Sequence, residues 1–185
     1  MIEKLEKAFH KFMEEMKLDM TDASLKDTPK RVAKMFANET CKWLYEEAPK
    51  ITTFPNDNGY SWMVIVRDIE VKSLCEHHFQ PFIWTCDIAY IPKNKVVWLS
   101  KFARVVDYFS RRPQVQERLT QQIFDFWKKE LETDNIIVRI NCEHFCMKLR
   151  WVEEPCSNTI TCIAGWVFLN DNKAREEFFN HLKIW

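Results

Sequence analysis

Glycine is scarce: Gly59 and Gly165 are the only two in 185 residues, where average usage of about 7% would place roughly 13. No flexible linker, low-complexity tract or internal repeat breaks the chain. An excess of charge of either sign is also missing, with 27 Lys and Arg against 27 Asp and Glu. That balance argues against the broad polyanion-binding surface a nucleic-acid partner needs and allows only a concentrated cationic pocket. No apolar run approaches the ~20 residues that span a bilayer, so no membrane partner is expected. The opening Met1-Ile2-Glu3-Lys4-Leu5-Glu6-Lys7 is too charged for a secretory h-region. Seven cysteines, an odd number, are therefore expected to stay reduced in a cytoplasm.

A chain of this length is one domain, or a core domain with a helical extension, and can bury a real core. Ile2, Leu5, Phe9, Phe12, Met13 and Met16 recur at spacings of three and four, the buried stripe of an amphipathic helix. Thr28 and Pro29 read as the cap and first-turn proline of a second helix, with Val32, Met35, Phe36 and Trp43 on its apolar face. Asn56-Asp57-Asn58-Gly59 is a turn and the expected boundary between a helical N-terminal extension, 1–58, and the main domain, 59–185. Residues 62–74 and 82–91, rich in β-branched and aromatic side chains, read as strands joined through a turn at 75–81. Ser100 is expected to cap a helix with Phe102, Val105, Val106 and Phe109 inward. Pro113 breaks it, and Val115, Leu119, Ile123, Phe126 and Trp127 mark the next. Strands are expected again at 136–140 and 158–169, and a helix at 171–182. This order describes an α+β domain, a four-stranded antiparallel sheet with helices on one face.

The chemistry gathers in two clusters, Cys75-Glu76-His77-His78 and His144-Phe145-Cys146. A catalytic zinc takes three protein ligands and keeps one position open. Cys75, His78 and Cys146 could supply the three, leaving His77 and His144 beside the metal as proton carriers. Strand alternation would put Cys142, His144 and Cys146 on one face, whereas Cys75 and His78 converge only if the chain turns between them, as Phe79-Gln80-Pro81 allows. Cys142 could coordinate as well. The plainer reading, buried thiols and hydrogen-bonded core histidines, accounts for any one of these residues and poorly for the set. Cys41, Cys86, Cys156 and Cys162 read as packing residues.

Together with Leu99-Ser100-Lys101-Phe102-Ala103-Arg104, the run Arg112-Pro113-Gln114-Val115-Gln116-Glu117-Arg118-Leu119-Thr120 and the stretch from Glu143 to Arg150, these clusters resemble the GTP cyclohydrolase I family. The likeness runs in order, without large gaps, from Asp27-Thr28-Pro29-Lys30-Arg31-Val32 to the C-terminal helix. It implies the tunnelling fold, in which subunit sheets join side by side into a barrel, and a homo-oligomer, a decamer, with sites between subunits. Such closure also removes exposed sheet edges. The resemblance further implies zinc on Cys75, His78 and Cys146, and GTP as substrate, hydrolysed to 7,8-dihydroneopterin triphosphate and formate with His77 and His144 as acid–base catalysts. It gives Cys142 no role.

For the substrate, the resemblance implies Ser100, Lys101, Arg104, Gln116, Glu117 and Arg150. Lys101 and Arg104, three apart, share a helix face near its N-terminal end, where free amides and the Ser100 hydroxyl favour phosphate. Arg150 adds a bidentate fork. Glu117 can accept from the N1–H and exocyclic amine of guanine, a pattern adenine lacks, and Gln116 can complete that edge. By periodicity both point off the Val115-Leu119-Ile123 stripe, an exposed face that a pocket shared between subunits would bury. Arg111, Arg112 and Arg118 read as solvated surface. Two other readings compete. A non-catalytic oligomeric scaffold would close its zinc with a fourth ligand, Cys142 or His77; a related enzyme such as a nitrile reductase would need a pocket thiol free of metal, for which Cys142 is the candidate.

Tryptophan, at eight, is as abundant as glycine is scarce. Trp43, Trp84, Trp98, Trp151 and Trp166 stand where the family's pattern has glycine. A bulky residue at a left-handed glycine position costs roughly 1–2 kcal/mol from chirality, and overpacking adds ~1–3 kcal/mol per site. Two readings follow. UGA codons that the source reads as glycine have been rendered as tryptophan, or the tryptophans are genuine and activity is lost or altered. UGG at all five codons would end the first.

Overall fold

A computed structural model describes residues 1–150 and 156–183, and its contacts fall into two units, Met1–Glu46 and Glu47–Trp185. In the first, α1 (Ile2–Glu15) and α2 (Thr28–Met35) are followed by a π-helical turn, Phe36–Thr40. Asp27 takes the N-cap position of α2, so Thr28 is its first residue and Pro29 lies within its first turn, where a missing N–H breaks no helical bond. Of the α1 stripe only Met13 is buried, while Leu5, Phe12 and Met16 are exposed. Within this unit α2 packs on α1, and it covers only part of a wide apolar face.

Long β-rich runs build the second unit. β2 (Val64–Cys75), β3 (Pro81–Tyr90), β6 (Ile136–His144) and β7 (Thr159–Ala164) pair antiparallel in that order. To this expected four-stranded sheet a two-residue strand, β5 (Pro113–Gln114), adds in parallel beside the end of β2. A separate small sheet pairs β1 (Thr53–Pro55) with β4 (Lys95–Val97). Residues 47–58, expected with the helical extension, therefore lie in the second unit. Asn56 fastens them there, its amide donating to the carbonyls of Tyr60 and Lys93 at 2.8 and 2.9 Å.

Alternation decides the faces. Val71, Phe82, Cys86, Ile88, Val138, Ile140 and Cys142 form a core with Phe102, Val105 and Val106 of α3 (Ser100–Ser110) and Leu119, Ile123 and Trp127 of α4 (Gln116–Leu131). Their sheet neighbours Ala89 and Ile137 face a second cluster with Phe168 of α6 (Trp166–Asn170) and Phe178 of α7 (Asn172–Leu182). The strand expected to run to residue 169 stops at Ala164 because Gly165 turns the chain into α6. A Cβ at Gly165 would lie 1.8 Å from the Asp134 carbonyl oxygen, so only glycine makes this corner.

Trp151 lies outside the described residues. Trp84, Trp98 and Trp166 are 52%, 60% and 67% exposed, so the overpacking expected of them is absent within the protomer. Half-buried Trp43 holds the Lys42 ammonium 4.8 Å from its ring centroid. Backbone strain falls on Trp84, whose φ of 158° lies inside β3. No helix among the described residues is long and apolar enough to cross a membrane.

Candidate metal centre and its surroundings

The β2–β3 hairpin turns sharply at its tip. Phe79 takes a left-handed φ of 52°, which lets the N–H groups of His78 and Phe79 both reach the Cys75 carbonyl, at 3.3 and 2.8 Å, while Cys75 N–H donates to Gln80 O at 2.8 Å. Glu76 N–H donates to Gln114 O at 3.0 Å, and the Glu76 carboxylate pairs with Arg118. That hydrogen bond holds the Glu76 carboxyl below its ordinary range. Arg118 also donates from Nε to Gln114 Oε1 at 2.8 Å. Arg118, expected as solvated surface, is exposed, and from there it also ties the hairpin tip to the β5–α4 junction.

The second cluster sits where β6 ends. His144 is the last strand residue and Cys146 belongs to a one-turn helix, α5 (Phe145–Lys148). The expected common face for Cys142, His144 and Cys146 thus fails after His144, because helical dihedrals replace the two-residue repeat. That change carries Cys146 to the hairpin tip. The ligand atoms of Cys75, His78 and Cys146 all lie within 4.8 Å of one another, and Cys75 Sγ is 3.8 Å from His78 Nδ1. Zinc–ligand bonds of roughly 2.0–2.3 Å put tetrahedral neighbours about 3.5–3.8 Å apart, so the trio needs only slight contraction. Two thiols and an imidazole are a donor set that zinc accepts. Among the described residues this is the one such group, and no fourth donor joins it.

His77 is 63% exposed in its side chain, with Nδ1 3.9 Å from Cys75 Sγ. His144 stacks on Phe82, ring centroids 4.8 Å apart and planes 8° from parallel. Burial pushes His144 below the ordinary histidine value, and the nearby Glu117 charge opposes that shift. Its Nε2 lies 2.8 Å from Gln116 Oε1. Gln116, expected on an exposed face and on the guanine edge, is 2% exposed. Its Nε2 donates to Ile140 O, Thr159 O and Thr161 Oγ1 at 3.2, 2.9 and 3.0 Å. The amide nitrogen is thereby committed inside the fold, because the first turn of α4 lies over β6 and β7 and the sheet, not the helix stripe, decides its burial. Glu117 remains exposed.

Arg150 Nη1 is 2.7 Å from His78 Nε2, which brings this residue to the trio. Ser100 does not cap α3: Leu99 is the N-cap residue, itself in helical conformation, and Ser100 is the first helical residue. Ser100 and Arg104 are exposed and Lys101 is half-buried. Among the described residues no hydrogen bond or ion pair joins these three to the trio. Cys142 is fully buried and its thiol is pushed up to about 12 by that burial, so it is neutral at ordinary pH. Gln114 and the Thr120–Thr161 pair escaped the sequence reading. A glutamine directly after a helix-breaking proline was the one sign, and a weak one.

A GTP cyclohydrolase I family profile matches residues 5–183. The curated relatives include GTP cyclohydrolase 1 of Shewanella sp. (strain ANA-3), 46% identical over 169 residues, covering 91% of this chain and 78% of that protein. The Aeromonas salmonicida (strain A449) protein of the same name is 44% identical over 182 residues, 98% of this chain and 84% of its own length. That of Shewanella amazonensis (strain ATCC BAA-1098 / SB2B) is 42% identical over 179 residues, with coverages of 96% and 83%.

Proposed function

The chain belongs to the GTP cyclohydrolase I family of enzymes, and from that premise we propose that it hydrolyses GTP to 7,8-dihydroneopterin triphosphate and formate with zinc held by Cys75, His78 and Cys146. The observation that carries this reading is the meeting of those three donors from a hairpin tip and a distant one-turn helix. Zinc there would supply a Lewis acid that makes water nucleophilic near pH 7. Water adds to C8 of the guanine ring and the imidazole ring opens to a formamide, a second water releases formate, and the ribose rearranges and recloses on the freed amine with loss of one water, so that one water is consumed overall.

The protein's own groups divide the remaining work. His144 and His77 carry protons to and from the opening ring, help typically worth ~10²–10⁴ in rate. Glu117, exposed within electrostatic reach of His144, takes the N1–H and amine of guanine. Arg150 beside His78 meets the triphosphate together with Ser100, Lys101 and Arg104. The latter three act across a subunit boundary in a homo-oligomer, in keeping with the lack of any bond from them to the trio among the described residues. Seven free thiols suit a reducing cytoplasm.

The competing readings have less support. A closed structural zinc needs a fourth protein donor, and neither Cys142 nor His77 joins the three. A nitrile reductase needs a reactive thiolate, whereas Cys142 is buried and neutral. Incubation with GTP and zinc is expected to release formate and, after oxidation, a fluorescent pterin, and Cys146→Ala is expected to abolish both. Equal turnover by that variant would sink the metal assignment.

A further inference from the structure

Gln116 stands at the meeting point of α4, β6 and β7, and its surroundings leave its amide one orientation. Ile140 O and Thr159 O are backbone carbonyls that only accept hydrogen bonds, at 3.2 and 2.9 Å from the nitrogen end. Turning the amide over would set oxygen against two oxygens. The third neighbour agrees with this sense. Thr120 donates its hydroxyl to Gln116 O at 2.8 Å, so in the 2.6 Å contact between the Thr120 and Thr161 hydroxyls Thr161 is the donor. Thr161 Oγ1 is then left to accept from Gln116 Nε2 at 3.0 Å. Backbone oxygen, two hydroxyls and amide close a ring of bonds that all run one way.

The consequence falls on the histidine. Gln116 Oε1 can only accept, so the nitrogen facing it at 2.8 Å must carry a hydrogen. A neutral imidazole has one N–H, and here it is on Nε2, which leaves the Nδ1 lone pair free. Stacking on Phe82 at 4.8 Å restrains the ring from turning. We propose that Gln116 is a positioning residue: its side-chain oxygen, itself fixed by the ring of bonds around the amide, holds the His144 ring in one orientation and in the Nε2–H tautomer. Gln116 does not touch the base. This rests on the reading of the site as a GTP cyclohydrolase centre, yet the tautomer belongs to the resting protein.

Nitrogen NMR of histidine-labelled, zinc-loaded protein, with His144 assigned through His144→Asn, tests the first half without substrate. The expected signal is a protonated Nε2 and a bare Nδ1, and a resting Nδ1–H tautomer overturns the proposal whether or not GTP is turned over. Gln116→Met keeps the side-chain length and removes every hydrogen bond. It is expected to give mixed tautomers, with kcat for GTP falling about 10- to 1,000-fold as for a misplaced acid–base group and KM moving less than about threefold. A variant that raises KM and spares kcat would return Gln116 to guanine recognition and overturn the proposal. Should Gln116→Met fail to fold, the tautomer of the parent protein decides alone, because the two backbone carbonyls that orient the amide cannot be removed by a side-chain substitution.

Discussion

Trp84 places a large side chain where the backbone asks for none. Its φ of 158° belongs to a region that side chains occupy only under strain, and it falls at one of the five positions at which the resemblance implies glycine. Relief of the ~1–3 kcal/mol that such a backbone costs competes with the ~0.5–1 kcal/mol that glycine loses in strand interiors. Trp84→Gly is therefore expected to stabilise by about 0.5–1 kcal/mol, raising Tm by about 1–4 °C for a chain of this size. Trp98→Gly, with no positive φ, is the control and is expected to gain nothing. Equal melting of the two variants would remove strain as the explanation. A gain confined to position 84 would fit a glycine codon there, and the gene sequence reads that directly.

The hairpin tip, β5 and the start of α4 behave as one piece because Glu76 and Arg118 join them. Arg118 donates to both the Glu76 carboxylate and Gln114, so its loss frees the loop that carries two of the three proposed ligands. Arg118→Ala is expected to weaken zinc retention about 10- to 100-fold, as for other groups that orient metal ligands. Competition with a chromogenic chelator measures it, and undiminished affinity would show that the tip holds its shape alone. At this scale the sequence was readable where one period governs. Alternation marked β2 and β3 to within two residues, and the Cys/His clusters marked the trio. It failed where two periods meet. Helical spacing put Gln116 outside, although the sheet beneath buries it, and strand spacing ran past His144 into α5. Two- and three-residue strands such as β5 and β4 are too short for any period to register.

Viewed whole, the sheet is left open at its margins. β7 forms one edge, and β5 covers only the last two residues of β2 on the other. Unpaired backbone donors and acceptors along such edges invite pairing with another copy, in keeping with the proposed homo-oligomer. Light scattering is expected to give a mass several times the 22.4 kDa protomer. If Lys101 and Arg104 serve a neighbour's metal, Lys101→Ala and Cys146→Ala are each inactive alone, and refolding them together restores part of the GTP turnover. A fully active monomer, or no recovery from mixing, would place each site within one chain.

An ion gripped by Cys75, His78 and Cys146 would also act as a clasp. It closes a loop containing β3, both α3 and α4, and all of β6, so it subtracts conformational freedom from the denatured chain as well as adding bonds to the native one. Starved of metal, such a protein would lose its catalyst and a long-range crosslink in the same event.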